Sequence, residues 1–312
     1  MANHPRVESR VNASFVTTRC RNSELWFANN RPVEKAALGY AAKFKERYGV
    51  KLYALALEGS HIQAPAHFPN ANRKDFMRDF NSCVADSVKR LTPNYPGGSL
   101  FGRRYSGELL PDHPEDIEKM FFYTVLQPVH DGLVERISDY PFYNCFSDAV
   151  KGIERQCEVM NWTAYNAKRR YNPDVRKIDF IEIVTLKYDR LPGYESLSQK
   201  DYSKLMHDKL EVERVKAIQK RIEAGKLGVV GREALLKVIP GTPAKNPKKS
   251  TRESNRPRVL SACLDRWQEM MDWYFSMYNA YKYASKLFRE GNLTVRFPDG
   301  MYPPYLPCSP PA

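Results

Sequence analysis

No apolar run in the 312-residue sequence is long enough to cross a membrane. The longest is Leu52–Leu57, against the roughly 20 residues that a spanning helix needs. The opening MANHPRVESR carries no apolar stretch of the secretory type. Cysteine is scarce as well. The chain has 6 of them (Cys20, Cys83, Cys145, Cys157, Cys263, Cys308), with no C-x-x-C pair and no close metal-ligand spacing. That is too sparse for a disulfide scaffold and argues against a structural zinc. Internal repeats are missing too. What is present is an ordinary globular balance, 42% hydrophobic and 27% charged, which excludes a wholly disordered chain. The expectation is a soluble, intracellular (cytoplasmic) protein whose thiols are reduced.

Charge divides the chain. Residues 1–150 carry 19 basic and 17 acidic side chains, whereas residues 151–312 carry 30 and 19. Lys and Arg placed near phosphates release condensed counterions, so the second half is the better polyanion contact. Within it, 242–258 has three prolines, six basic residues and one acid. It reads as an exposed arm, with Lys248 and Lys249 among its candidate phosphate contacts.

Residue patterns in the first half alternate between strand and helix. Val11–Cys20 is rich in β-branched residues and predicts a strand. Ala36, Tyr40, Phe44 and Tyr48 repeat at i, i+4 behind Pro32 and predict a helix. Lys51–Leu57 and His61–Phe68, separated by Glu58-Gly59-Ser60, predict two paired strands. Arg73–Leu91 predicts a helix with Phe76, Phe80, Val84 and Val88 on one face. A strand over 99–110 follows, then a helix from about Asp112, capped by Asp112 with Glu115 and carrying Pro114 in its first turn. The order β-α-β-β-α-β-α predicts an α+β domain with an antiparallel sheet over 11–150. Residues 151–312 read as a basic, mostly helical region. It includes helices over Gln199–Ala224 and Leu264–Glu290. The latter has a stripe of Trp267, Met271, Tyr274, Tyr278 and Tyr281, better explained as core than as a stacking platform.

Two local patterns could carry chemistry. On a strand, His61 and Gln63 share a face while Ile62 points away. An imidazole nitrogen and an amide oxygen so placed could ligate one divalent cation, although a hydrogen-bonded structural pair is the simpler explanation of these residues alone. Tyr123 and Gln127 stand at i and i+4 on one helical face. Pro128 disfavours helical geometry at Gln127 and sets the glutamine at a helix end or kink. A tyrosine packed beside Phe121 and Phe122 is the competing explanation there. Arg169-Arg170-Tyr171, with Trp162 and Tyr165, interleaves cations and rings as single-strand binders do. A helix surface with its aromatics turned inward fits equally well.

A longer stretch, FYTVLQPVHDGLVERISDYPF at 122–142, resembles the signature of REP-associated tyrosine transposases, which belong to the single-tyrosine HUH transposases. Tyr123 falls on the signature tyrosine. Pro128-Val129, Gly132-Leu133-Val134 and Asp139-Tyr140-Pro141 fall on its other fixed positions. ALEGSHIQAPAHF stands where that family has its histidine strand, and Arg103-Arg104-Tyr105 where relatives carry an Arg-Arg-aromatic strand. The similarity spans about 11–150. It implies a ferredoxin-like or RRM-like HUH endonuclease domain in which Tyr123 attacks single-stranded DNA at palindromic hairpins and forms a 5′-phosphotyrosine link. His61, Gln63 and Gln127 would ligate Mg2+ or Mn2+. Arg103, Arg104, Arg169 and Arg170 would touch DNA. The sequence departs from the pattern at Gln63, where the family's second histidine is expected; His67 is a weak substitute and Glu58 a possible extra ligand. That departure keeps a second expectation open, an inactive relative that binds structured nucleic acid. Relatives include both monomers and dimers, and nothing in the sequence chooses between them.

Overall fold

The computed structural model describes residues 5–244 and 258–304. The β-branched run near the N-terminus forms β1 (Ala13–Arg19). Helix α1 (Arg31–Tyr48) has proline in its first turn and ends at Gly49, whose φ of 62° suits a residue without a Cβ.

The single strand expected over 51–57 is divided into β2 (Lys51–Leu52) and β3 (Ala56–Glu58), which both pair with β4 (His61–His67). Leu52 faces Ala66 and Ala56 faces Gln63. Tyr53, Ala54 and Leu55 therefore oppose only Ala64 and Pro65, which is a bulge. Pro65 has no N–H to offer the ladder there. The displaced Leu55 N–H instead donates to Cys145 Sγ at 3.4 Å. Burial pushes that thiol up to about 12. The described cysteines are all free thiols.

Helix α2 (Arg73–Leu91) has the predicted bounds. Strand β5 starts later than expected (Ser106–Leu110), so Arg103 and Arg104 lie exposed in the connection that leads to it. Helix α3 (Pro114–Val125) is capped by His113 instead of Asp112. Pro114 fixes the first helical φ, and the His113 ring accepts from the Glu115 N–H at 3.4 Å. A four-residue helix α4 (Gln127–His130) continues from it across Leu126.

The sheet order is β2-β4-β1-β5, with β3 extending the β2 position and every pair antiparallel. This is the strand order of a ferredoxin-like βαββαβ unit. Ile62, Ala64 and Val16 point to one face, where Ala41 of α1 and Phe76, Met77 and Phe80 of α2 pack on them. The opposite face carries α3 and α4.

Beyond residue 145 come α5 (Phe146–Lys151), β6 (Arg155–Met160), α6 (Trp162–Arg169), β7 (Ile181–Leu186), α7 (Gln199–Glu223), α8 (Arg232–Leu236) and α9 (Leu264–Arg289). No described helix is long and apolar enough to cross a membrane. Leu186, Tyr188, Tyr202, Met206 and Leu210 join the same core as β1, β4 and α1. Helix α9 builds a smaller core with Val7, Leu109 and Val259. Met271 and Tyr274 are buried in it and Tyr278 and Tyr281 pack against it, so the stripe is core. Trp267 is exposed. Buried Asp116 of α3 ties this segment down through Ser261 Oγ (3.1 Å), the Ala262 N–H and Arg266 Nε (2.9 Å).

The β6–β7 pair is the element that interrupts the helical reading of the second half. It packs on α1, whose Gly39 makes room for it. A Cβ at Gly39 would lie 2.7 Å from Val159 Cγ2 and 3.1 Å from the Glu158 carbonyl oxygen. Gly39→Val is accordingly expected to destabilise the fold by roughly 1–3 kcal/mol. A thermal melt of the variant checks this; an unchanged midpoint would mean that the hairpin does not press on α1.

Candidate active site

Alternation along β4 aims His61 and Gln63 away from α1 and α2, toward α3 and α4. The strand register extends each position into a row. His61 is flanked by Arg19 on β1 and Glu58 on β3, and Gln63 by Thr17 and Ala56. Directly opposite Cβ atoms lie about 5 Å apart, so the imidazole stands between a guanidinium and a carboxylate. Glu58 is 4% exposed, with both carboxylate oxygens sheltered from solvent.

Tyr123 comes from the third turn of α3 and remains 41% exposed. Its ring meets Phe15 of β1 edge-on, with centroids 5.8 Å apart. The His130 ring lies 5.5 Å away, tilted by 34°. The link between α3 and α4 leaves helical geometry at Leu126 (φ −92°, ψ 4°), one residue earlier than Pro128 predicts. Gln127 itself opens α4, and Pro128 stands in its first turn, where a missing N–H costs nothing. That break turns Gln127 into the sheet face, where it is 4% exposed. Gln63 Nε2 donates to Gln127 Oε1 at 3.0 Å, and Gln127 Nε2 donates to Asp131 Oδ2 at 3.1 Å. A polar relay thus runs from the buried centre of β4 to the exposed Asp131. Buried Arg221 of α7 supports α4 from behind, 3.4 Å from the Val129 carbonyl oxygen.

The other tyrosine of the 122–142 stretch is built differently. Tyr140 is buried, and desolvation together with the charge of Glu58 holds its hydroxyl well above its ordinary value. A neutral, enclosed phenol cannot serve as a nucleophile, whereas Tyr123 is open to a strand arriving from solvent.

His61, Gln63, Tyr123 and Gln127 are therefore brought to one face. As cation ligands the three non-tyrosine residues offer one imidazole and two amide oxygens, a set that suits a hard ion whose shell is completed by water or phosphate. Among the described residues no group of three or more His, Cys, Asp or Glu side chains could hold a metal. Glu58 is the carboxylate that the register brings to His61. The amide oxygen of Gln127 now accepts from Gln63, so ligation through that oxygen competes with this bond.

The remaining candidates divide. Arg103 and Arg104 adjoin the His61 end of the sheet, where the Gly102 N–H donates to the Arg19 carbonyl at 3.2 Å. Arg169 and Arg170 sit at the end of α6, away from this face. Lys248 and Lys249 lie outside the described residues. His67 does share the face, but at the far end of β4, about 20 Å along the strand, where its Nε2 meets the Arg10 carbonyl at 2.7 Å. It cannot replace the missing histidine. Sequence reasoning missed Arg19, His130 and Asp131. The i, i+4 spacing of Gln127 and Asp131 was the signal for the last of these; only the strand register reveals Arg19.

No family model matches the chain, and no curated protein matches it. Among solved structures, a REP-associated tyrosine transposase bound to a REP hairpin is similar to it at 16% sequence identity and a TM-score of 0.39, over 46% of this chain and 81% of that one.

Proposed function

We propose that the chain is a single-stranded DNA transesterase of the REP-associated tyrosine transposase type, acting at hairpin-forming repeats. The observation that supports this reading is the 3.0 Å bond from Gln63 on β4 to Gln127, four residues after Tyr123, which sets that helix end over the strand face that also carries His61. The Tyr123 oxygen attacks a backbone phosphorus, and the bond to the 3′ oxygen breaks. One strand is left with a 3′-hydroxyl and the other is esterified to Tyr123 through its 5′-phosphate. Attack by a second 3′-hydroxyl re-forms a phosphodiester and returns the phenol, so no cofactor energy is consumed. A tyrosine of pKa about 10 needs a polarised phosphate to act near neutral pH. Mg2+ or Mn2+ held by His61, Gln63 and Gln127 would supply that polarisation by binding a phosphate oxygen. His130 and Phe15 hold the ring, and Arg19, Arg103 and Arg104 offer positive charge to the strand at the His61 end.

The test uses labelled single-stranded hairpin oligonucleotides from repeats flanking the gene, incubated with Mn2+ or EDTA and run on a denaturing gel. The expected result is a shifted band that needs the metal and disappears on proteolysis. A second reading, structured-DNA binding without cleavage, is favoured by Gln63 itself, an amide where a second histidine is expected, whose Nε2 is committed to Gln127 Oε1 at 3.0 Å. Tight hairpin binding with no adduct under any metal would decide for it.

A further inference from the structure

The β6–β7 pair packs on α1 at Gly39, and α1 covers the sheet face opposite Tyr123, so α6, the link between β6 and β7, lies across the α1/α2 layer from the Tyr123 face. There, Tyr165 is buried and its ring meets Trp162 (6.0 Å) and Phe180 (5.7 Å) edge-on. This wedge fixes the short helix. Above it, the Arg90 guanidinium of α2 lies 4.5 Å from the Trp162 ring and the Lys177 ammonium 5.9 Å, while Arg169 lies 5.9 Å from Tyr165. Lys89, Lys168, Arg170 and Arg176 are their neighbours in the chain. Asp86 pairs with Lys89 and Asp179 with Arg176. Among the described residues, no carboxylate pairs with Arg90, Lys168, Arg169, Arg170 or Lys177. The C-termini of α2 and α6 both favour cations, which accounts for where these side chains are. It does not account for Tyr171, whose ring stands 90% exposed beside them.

We propose that this surface is a second contact for single-stranded DNA, separate from the Tyr123 site. Its cations would follow the phosphates and Tyr171 would stack on an unpaired base, the combination that single-strand binding uses. Base pairs in a duplex offer no free face to such a ring, so the surface selects an open strand. The proposal goes beyond the transesterase reading and does not depend on it.

The test measures binding of a fluorescein-labelled oligothymidylate of about 20 nucleotides by anisotropy. The full chain carries Tyr123→Phe and EDTA is present, so that no chemistry contributes and the outcome is independent of the adduct assay. Arg169→Glu, Arg170→Glu and Lys177→Glu together are expected to weaken binding at least about tenfold and to reduce the salt slope by about two. Tyr171→Ala is expected to weaken it about fivefold to a hundredfold with the slope unchanged. All four side chains are exposed, and circular dichroism checks that each variant is folded. The proposal is overturned if both variants bind within twofold of the parent. It is overturned equally if Tyr171→Ala is silent, which would leave a bare polyanion surface. Equal competition by duplex DNA, or tenfold tighter binding of RNA of the same length, would also overturn it.

Discussion

Tyr123→Phe is expected to remove the covalent protein–DNA adduct altogether, lowering its rate of formation by at least about three orders of magnitude, while leaving the protein folded. The substitution deletes one oxygen and keeps the ring. The edge-on contact with Phe15 and the tilted contact with His130 are made by ring carbons, at 5.8 Å and 5.5 Å between centroids. A partly exposed position of this kind changes stability by no more than roughly 0.5 kcal/mol. An unchanged melting curve together with an absent adduct would therefore separate chemistry from folding. An adduct that persisted would need another nucleophile. Tyr140 is excluded by its burial, and Cys20, Cys145 and Cys157 are enclosed in the core. Persistence would thus remove Tyr123 from the mechanism. DNA binding measured alongside should be retained, because the phenol oxygen is a small part of the surface that meets the strand.

The legible parts of the fold are those that depend on local pattern. Helix α2 was readable end to end because Phe76, Phe80, Val84 and Val88 repeat at helical spacing, and α7 because a polar amphipathic stretch stops at Gly225. The bulge at Tyr53–Leu55 was not, since its cause is Pro65 on the neighbouring strand. Nor was the β6–β7 pair, because its strands are joined through α6 and no tight-turn signal marks them. The site follows the same division. Alternation placed His61 with Gln63, and helical spacing placed Tyr123; Pro128 signalled a break near Gln127, which falls one residue earlier, at Leu126. The Gln63–Gln127 bond spans 64 positions in the chain and becomes visible only when α3 is laid across β4. The interleaved cations and rings of α6 are legible as a pattern, but not which side of the molecule they occupy. Their side of the molecule is set by the packing of β6–β7 on α1, a contact that Gly39 permits and that no local pattern announces.

Gln127 bears both on the architecture of the site and on its proposed chemistry, and two substitutions separate these. Gln127→Leu removes the acceptor for Gln63 Nε2, 3.0 Å away, and the donor to Asp131, 3.1 Å away. Gln63 is 3% exposed, so water cannot replace the lost partner, and a stability loss of about 1–3 kcal/mol is expected. Asp131 is exposed and is solvated instead. With one proposed ligand gone, Mn2+-dependent adduct formation should fall by about a hundredfold. Gln127→Glu behaves differently. A carboxylate still accepts from Gln63 Nε2, so the buried amide stays satisfied. The donor to Asp131 is lost and the two carboxylates repel, which makes the empty site less stable and a divalent cation more welcome. The expected result is a lower melting temperature in EDTA that Mn2+ restores, with half-maximal adduct formation at a lower Mn2+ concentration than in the parent chain. If Gln127 only braces Gln63, Mn2+ will not rescue the glutamate variant, and the leucine variant will lose stability without a change in metal dependence. That pattern would leave the relay standing as architecture and take Gln127 out of the metal site.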